Sequence, residues 1–144
     1  MIASHWRRSM FLTLALGWMG FIVYLSSQSN PVDLSPVIGA AARRSTPEIA
    51  AAVSHMAEFG ILALLLRWGL VFRRPSLLMY LGVFAFTMAF AVSDEIHQSF
   101  TPGRVSSVRD VFIDGFGAIV VLSLWRAVEV IVPWPLGHAR SPQG

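Results

Sequence analysis

Several side chains able to move protons or bind ions lie inside otherwise apolar stretches of this sequence. His55 and Glu58 are three residues apart, which places them on one face of a helix and one turn apart. An imidazole beside a carboxylate suits general acid and base chemistry, and it also suits binding of a polar ligand. Asp94, Asp110 and Asp114 add carboxylates in two further stretches. The residue types therefore predict proton transfer or ligand binding in an apolar setting.

The composition indicates that this apolar setting is a lipid bilayer. Of the 144 residues, 55% are hydrophobic and 13% are charged, and none is cysteine. An ordinary globular domain has about a quarter charged residues, so a soluble domain is excluded, as are a disulfide scaffold and a thiolate metal site. A net charge of +3 without a long run of like charge argues against nucleic-acid binding.

Four apolar stretches predict an all-α membrane protein, with four transmembrane helices in an antiparallel bundle. The capping-box spacing from Ser45 to Glu48, with Pro47 between them, predicts a helix start. Ser106 or Ser107 is the predicted cap of the last helix. We expect one domain over residues 1–136 and a flexible tail over 137–144. The predicted spans are residues 10–25, 47–72, 77–92 and 111–132.

The distribution of arginine predicts that both termini are cytoplasmic, because cytoplasmic loops of membrane proteins carry an excess of basic residues. With the N-terminus inside, the inner side has Arg7, Arg8, Arg67, Arg73, Arg74, Arg126 and Arg140, and the outer side has Arg43, Arg44, Arg104 and Arg109.

Antiparallel spans bring the polar residues to a similar depth on the outer side. His55 lies near the start of the second span, Asp94 follows the third, and Asp114 lies near the start of the fourth. The turn that ends at Gly103 folds Arg104 back towards the acids. Glu95 points about 100° away from Asp94, so we expect it to be solvated.

Two small residues near Asp114 bear on helix packing. Gly115 and Gly117 lack side chains that would keep a neighbouring helix away. We therefore expect another helix backbone to come close to the fourth span at this point.

Two segments of the sequence resemble motifs of the VanZ-like family of bacterial membrane proteins. Residues 54–59 (SHMAEF) resemble its histidine-x-x-glutamate motif. Residues 93–111 (SDEIHQSFTPGRVSSVRDV) resemble its aspartate-glutamate-x-x-glutamine motif, followed by proline-glycine-arginine and an aspartate. Two positions differ from many members: Phe59 replaces a tyrosine and Asp114 replaces an asparagine.

The resemblance implies a multi-pass protein of the bacterial cytoplasmic membrane, in a family named for a member linked to resistance to the glycopeptide teicoplanin. We expect a polar pocket at the outer leaflet that binds a lipid headgroup or a cell-envelope precursor. Membrane lipids, a lipid-linked cell-wall precursor or a glycopeptide are the expected partners. Predicted ligand-binding residues are Gln98, Arg104, Asp110 and Asp114, and the candidates for proton transfer are His55, Glu58 and Asp94.

The sequence leaves two other roles open for these residues. One is an enzyme, a hydrolase or transferase acting on a lipid-linked substrate with Glu58 or Asp94 as base. The other is a purely structural protein, in which His55 and Glu58 hydrogen-bond to join helices and Asp110 stabilises the start of its own helix.

No metal site and no cofactor are predicted from the sequence. It has neither a histidine-glutamate-x-x-histidine spacing nor paired cysteines. Nitrogen and oxygen ligands are nevertheless available from His55, Glu58, Asp94, His97, Asp110 and Asp114.

Overall fold

Four helices make up the part of the chain that the structure describes. The computed structural model describes residues 2–28, 47–70 and 76–131, and no strand occurs within these ranges. All four helices are long and apolar enough to cross a membrane. They confirm the predicted all-α membrane fold. The helices are α1 (Ile2–Ser26), α2 (Pro47–Leu70), α3 (Leu77–Gln98) and α4 (Val108–Ile131).

The helices form an antiparallel bundle in which α2 packs against the other three. The ends of α1 and α3 meet where Ser26 bonds to Asp94, and the starts of α2 and α4 meet where His55 bonds to Asp114. Two helices therefore run in each direction. At most 28% of the residues in the most apolar part of each helix are buried in the bundle, so most of the apolar surface is left for lipid. The buried apolar residues are Ala15, Ile22, Phe59, Leu62, Ala63, Leu66, Tyr80, Val83, Ala91, Ala118 and Leu122.

Three helices extend beyond the spans that the sequence predicts. α1 begins at Ile2 instead of residue 10, α3 ends at Gln98 instead of residue 92, and α4 begins at Val108 instead of residue 111. The predicted limits follow the apolar runs, whereas helical hydrogen bonding continues through polar residues wherever proline or glycine does not stop it. The extension of α3 brings its acidic residues into the bundle.

Two helix-start signals of the sequence, Pro47 for α2 and a serine cap for α4, agree with the structure. α2 begins at Pro47, whose missing N–H costs nothing at this position. Ser107, rather than Ser106, caps α4: its Oγ accepts a hydrogen bond from the Arg109 N–H at 3.2 Å. Several predictions lie outside the described residues: Ser45, residues 71 and 72 of the second span, the last residue of the fourth, the domain limit at 136 and the tail over 137–144.

Polar side chains around Glu129 join three helices at the end of the bundle where α2 and α4 finish. Glu129 on α4 accepts hydrogen bonds from Arg67 on α2, from the Tyr80 hydroxyl on α3 at 2.8 Å and from Trp125 Nε1 at 2.7 Å. Arg126 lies 3.7 Å from the same carboxylate. Because even a partly buried carboxylate is costly without partners, these bonds fix the relative positions of α2, α3 and α4.

The backbones of α2 and α4 approach each other closely at Gly117. A Cβ at Gly117 would lie 2.7 Å from the Cα of Met56, and a Cβ at Gly60 would lie 2.9 Å from a methyl carbon of Val121. At Gly115 the nearest atoms belong to the flexible side chain of Met88. The expected close contact is thus present and depends mainly on Gly117.

We predict that Gly117→Ala destabilises the bundle by about 1–3 kcal/mol, because the added methyl group meets rigid backbone rather than a movable side chain. Unfolding of the purified protein in detergent measures this. Gly82→Ala is the matched control, since nothing lies within 4 Å of a Cβ there. Equal stability of the two variants would contradict the packing described for α2 and α4.

Candidate functional site

Polar side chains from all four helices meet at the end of the bundle where α1 and α3 finish and α2 and α4 begin. At 1.5 Å per residue, His55 lies about 12 Å from the start of α2, and Asp114 about 9 Å from the start of α4. Asp94 lies in the last turns of α3 and Ser26 ends α1. We call this group the polar cluster. It consists of Ser26, His55, Glu58, Asp94, Glu95, Gln98, Arg104, Asp110 and Asp114.

The imidazole of His55 bonds to Asp114 rather than to Glu58. His55 Nδ1 lies 3.0 Å from Asp114 Oδ1, and this contact joins α2 to α4. The Asp114 side chain is 1% exposed and that of His55 is 15% exposed. With Nδ1 held by a carboxylate, Nε2 is left to interact with a ligand or to exchange a proton. The sequence placed His55 and Asp114 in one region but did not predict that these two side chains bond to each other.

A chain of hydrogen bonds links α1, α3 and the turn after α3. The Ser26 hydroxyl donates to Asp94 Oδ1 at 2.7 Å, and the Gln98 amide donates to Asp94 Oδ2 at 2.9 Å. Gln98 Oε1 in turn accepts from the Arg104 guanidinium at 3.0 Å. Both oxygens of the aspartate therefore have partners, and the half-buried guanidinium is held at the edge of the polar cluster.

The turn that carries Arg104 has the geometry its sequence predicts. The Arg104 N–H donates to the Thr101 carbonyl at 3.1 Å, and Gly103 has a φ of 81°. Proline followed by a residue with positive φ is typical of a type II turn, where glycine is favoured. This turn directs the chain back over the end of α3, so that Arg104 can reach Gln98.

Glu95 is buried, which corrects the expectation that it is solvated. Its exposed fraction is 4%, and its Oε2 accepts a hydrogen bond from the Ser107 N–H at 2.7 Å. Asp94 and Glu95 point about 100° apart, yet both are buried because α3 lies between α1 and α4 at this end. Asp94 faces Ser26 of α1, whereas Glu95 faces the start of α4.

One oxygen of Glu95 has no hydrogen-bond partner. Among the described residues, Oε1 of Glu95 is the buried side-chain oxygen or nitrogen left without one. Ligand atoms of His55, Glu95 and Asp114 all lie within 4.8 Å of one another. These three side chains come from α2, α3 and α4.

Glu58 and Asp110 lie near these three side chains. Neither has a side-chain hydrogen bond to a described residue. Glu58 is partly buried and lies within electrostatic range of His55, Asp114 and Arg104. Asp110 is half-buried in the first turn of α4 and interacts electrostatically with His55. Both are therefore members of the polar cluster, as the sequence placed them. His97 is exposed, bonds to Ser27 at 2.9 Å and lies outside the polar cluster.

The charges of the polar cluster do not balance. It contains five carboxyl groups, and the groups that can oppose them are the Arg104 guanidinium and, when protonated, His55. Because uncompensated charge is costly in an apolar bundle, such a site favours protons, a cation or a ligand that brings positive charge.

All residues of the polar cluster except Ser26 and Asp114 lie in the two motif segments that resemble the VanZ-like family. The family model described as VanZ/LLP1 matches residues 11–130, which include all of α2 and α3, α1 from residue 11 onward and α4 up to residue 130. The chain belongs to the VanZ/LLP1 family. No curated protein and no solved structure matches it significantly. In this VanZ/LLP1 protein the two motifs meet in space, since residues 54–59 lie on α2 and residues 93–111 extend from α3 to α4.

Two members of the polar cluster were missed or misplaced by sequence reasoning. Ser26 ends an apolar helix and carries no charge, so nothing in its sequence context marks it. Glu95 is adjacent to a predicted site residue and belongs to the aspartate-glutamate-x-x-glutamine segment of the VanZ/LLP1 family. That membership was the available signal for its burial.

Proposed function

We propose that this four-helix membrane protein binds a polar lipid headgroup or a lipid-linked envelope precursor at its polar cluster. The observation that carries the proposal is the hydrogen-bonded chain from Ser26 through Asp94 and Gln98 to Arg104. An arginine held in this way is ordered before the ligand arrives, which lowers the entropic cost of binding. Its remaining N–H groups suit a phosphate or carboxylate oxygen.

The excess of carboxyl groups restricts the ligand. A bare anion would contact Arg104 favourably but would be repelled by the neighbouring acids. A ligand fits better if it carries a phosphate together with an amine, or if it binds with a cation. Lipid headgroups and envelope precursors include molecules of this kind, and they reach the site from within the membrane.

We further propose that the polar cluster faces the outside of a bacterial cytoplasmic membrane. In the described residues, Arg7, Arg8, Arg67 and Arg126 lie towards the opposite end, and Arg104 and Arg109 lie at the polar end. This bias supports cytoplasmic termini. An outward-facing site would have access to envelope precursors, and that access fits the association of the VanZ-like family with the glycopeptide teicoplanin.

Removal of the guanidinium should weaken binding of a phosphate-bearing lipid by about 10- to 100-fold. That range corresponds to the loss of a charged hydrogen bond worth about 1.5–3 kcal/mol. Titration calorimetry of wild type and Arg104→Ala in detergent measures it, with short-chain phosphatidylethanolamine and a short-chain polyprenyl phosphate as probes. Short-chain diacylglycerol, which lacks the phosphate, should bind both proteins equally weakly.

Arg109→Ala is the matched control for this experiment. Arg109 is exposed at the same end of the bundle and is not part of the hydrogen-bonded chain, so its removal changes the net charge equally. If Arg104→Ala binds the phosphate-bearing probes as wild type does, the polar cluster has a structural role instead.

A second candidate function is hydrolysis or group transfer on a lipid-linked substrate. The geometry that favours it is the contact of His55 Nδ1 with the buried carboxylate of Asp114. A carboxylate in this position orients an imidazole so that Nε2 can take a proton from water or a hydroxyl group. The carboxyl group of Glu58 has no hydrogen bond to a described residue and lies within electrostatic range of His55.

If the protein is an enzyme, His55→Asn and Glu58→Gln should each lower turnover by about 100-fold or more while binding is kept. Mass spectrometry of products from phosphatidylethanolamine and from a lipid-linked cell-wall precursor measures turnover. His97→Asn removes an exposed histidine at the same end and should leave the rate unchanged. Absence of product with wild type, together with lost binding in Glu58→Gln, would favour recognition without catalysis.

The orientation can be measured by cysteine labelling, because the natural chain has no cysteine. A membrane-impermeant maleimide added to intact bacteria should label Phe100→Cys, which lies in the exposed turn after α3, and should leave His5→Cys unlabelled until the cells are opened. The reverse pattern would place the polar cluster on the cytoplasmic side.

A further inference from the structure

The three side chains that meet most closely in the polar cluster have the composition of a metal site. His55 offers an imidazole nitrogen, and Glu95 and Asp114 each offer a carboxylate oxygen, all within 4.8 Å of one another. Metal ligands bonded at about 2.0–2.2 Å lie roughly 3–3.5 Å apart, so small side-chain movements bring the three atoms onto one ion. Since α2, α3 and α4 each supply one ligand, the ion would join three helices.

The unpartnered oxygen of Glu95 independently favours contact with a cation. The side chain is buried, and Oε2 is already held by the Ser107 N–H at 2.7 Å, which fixes the carboxylate in place. Oε1 has no hydrogen-bond partner among the described residues. A buried carboxylate oxygen without a partner costs free energy, and a cation in contact with it removes that cost.

The local charge points to the same conclusion. Glu95 and Asp114 lie in a region with three further carboxyl groups, and Arg104 is engaged with Gln98 rather than with either of them. A divalent cation would supply the positive charge that the described side chains lack.

We propose that His55, Glu95 and Asp114 bind a divalent transition-metal ion, with Zn²⁺ or Mn²⁺ as the matching chemistry. One nitrogen and two oxygen ligands suit these ions better than Ca²⁺, which prefers six to eight oxygens, and better than Cu⁺, which prefers sulfur. Binding replaces the contact between His55 and Asp114 by two bonds to the metal. Three protein ligands leave at least one coordination position open for water or for an oxygen of a bound headgroup.

This proposal does not depend on the proposed headgroup site. None of the three metal ligands takes part in the series of hydrogen bonds that runs from Ser26 through Asp94 and Gln98 to Arg104. One variant distinguishes the metal site from the headgroup site. Arg104→Ala should keep its affinity for the metal while it loses affinity for phosphate-bearing lipid. Loss of both affinities in Arg104→Ala would overturn the proposed metal site.

The test uses the full chain, purified in detergent, freed of metal with a chelator and titrated with ZnCl₂ or MnCl₂. We expect one ion per chain by elemental analysis after desalting, and a raised unfolding temperature. Glu95→Gln should weaken binding by at least about 100-fold, since loss of a direct ligand exceeds the tenfold to 100-fold effect typical of an outer-shell partner. The amide oxygen of glutamine can still accept from the Ser107 N–H, so the variant keeps the hydrogen bond that holds this side chain.

His97→Asn is the control for adventitious binding, because it removes an exposed histidine at the same end. It should leave the stoichiometry and the affinity unchanged. If it lowers the stoichiometry while Glu95→Gln does not, the ion is held at the surface and the proposal is overturned. Absence of binding of both ions to wild type below millimolar concentration also overturns it.

Cobalt provides a readout that does not depend on stability. Co²⁺ in place of zinc should give visible absorption bands that report its ligands, and these bands should change in Asp114→Asn and disappear in His55→Asn. Should Glu95→Gln fail to fold, these two variants carry the same test. Unchanged bands in both would overturn the proposal.

Discussion

The arrangement of the helices depends on finding partners for carboxyl groups inside an apolar bundle. On insertion scales a charged residue at the centre of a membrane helix costs about 2.5–3.5 kcal/mol, so each acid that enters the bundle must be hydrogen-bonded, protonated or paired. The partners lie on neighbouring helices: Asp94 bonds to Ser26 of α1, and Asp114 bonds to His55 of α2. Each contact fixes the register of one helix against another. At the opposite end Glu129 joins α2, α3 and α4 in the same way. The bundle is therefore tied by polar contacts near both ends, with apolar packing between them.

Close packing and polar contact depend on each other at the polar end. Gly117 lies against the backbone of Met56, the residue that follows His55, and it is three residues from Asp114. A larger residue at 117 would separate α2 from α4 where the imidazole and the carboxylate must remain 3.0 Å apart. In a lipid environment no hydrophobic driving force holds two apolar helices together, so close backbone approach and polar contact supply the specificity. Gly117 therefore permits the contact between His55 and Asp114 in the polar cluster.

The chemistry of the polar cluster follows from its excess of carboxyl groups over positively charged groups. Five carboxyl groups share one arginine and one histidine, and within the described residues one carboxylate oxygen of Glu95 is left without a hydrogen bond. Natural membrane proteins seldom keep such costly groups without a use, which favours a bound cation, a mobile proton or a ligand with positive charge. The headgroup contact proposed for Arg104 and the metal site proposed for His55, Glu95 and Asp114 use different side chains, so the two proposals are compatible. Membership of the VanZ/LLP1 family adds the membrane location but not the ligand.

Sequence reasoning alone predicts the four membrane helices found in the described residues, the start of α2 at Pro47, the turn before Arg104 and the segments that carry the acids. These features are local, since they follow from apolar run length, proline and glycine chemistry and chain direction. Tertiary structure alone decided that His55 bonds to Asp114 instead of Glu58, that Ser26 belongs to the polar cluster, and that Glu95 is buried. The physical reason is that a membrane helix is apolar on its lipid-facing side as well as on its buried side. Its hydrophobic pattern therefore does not show which face turns inward, and only the packing of neighbouring helices selects the partner of each polar side chain.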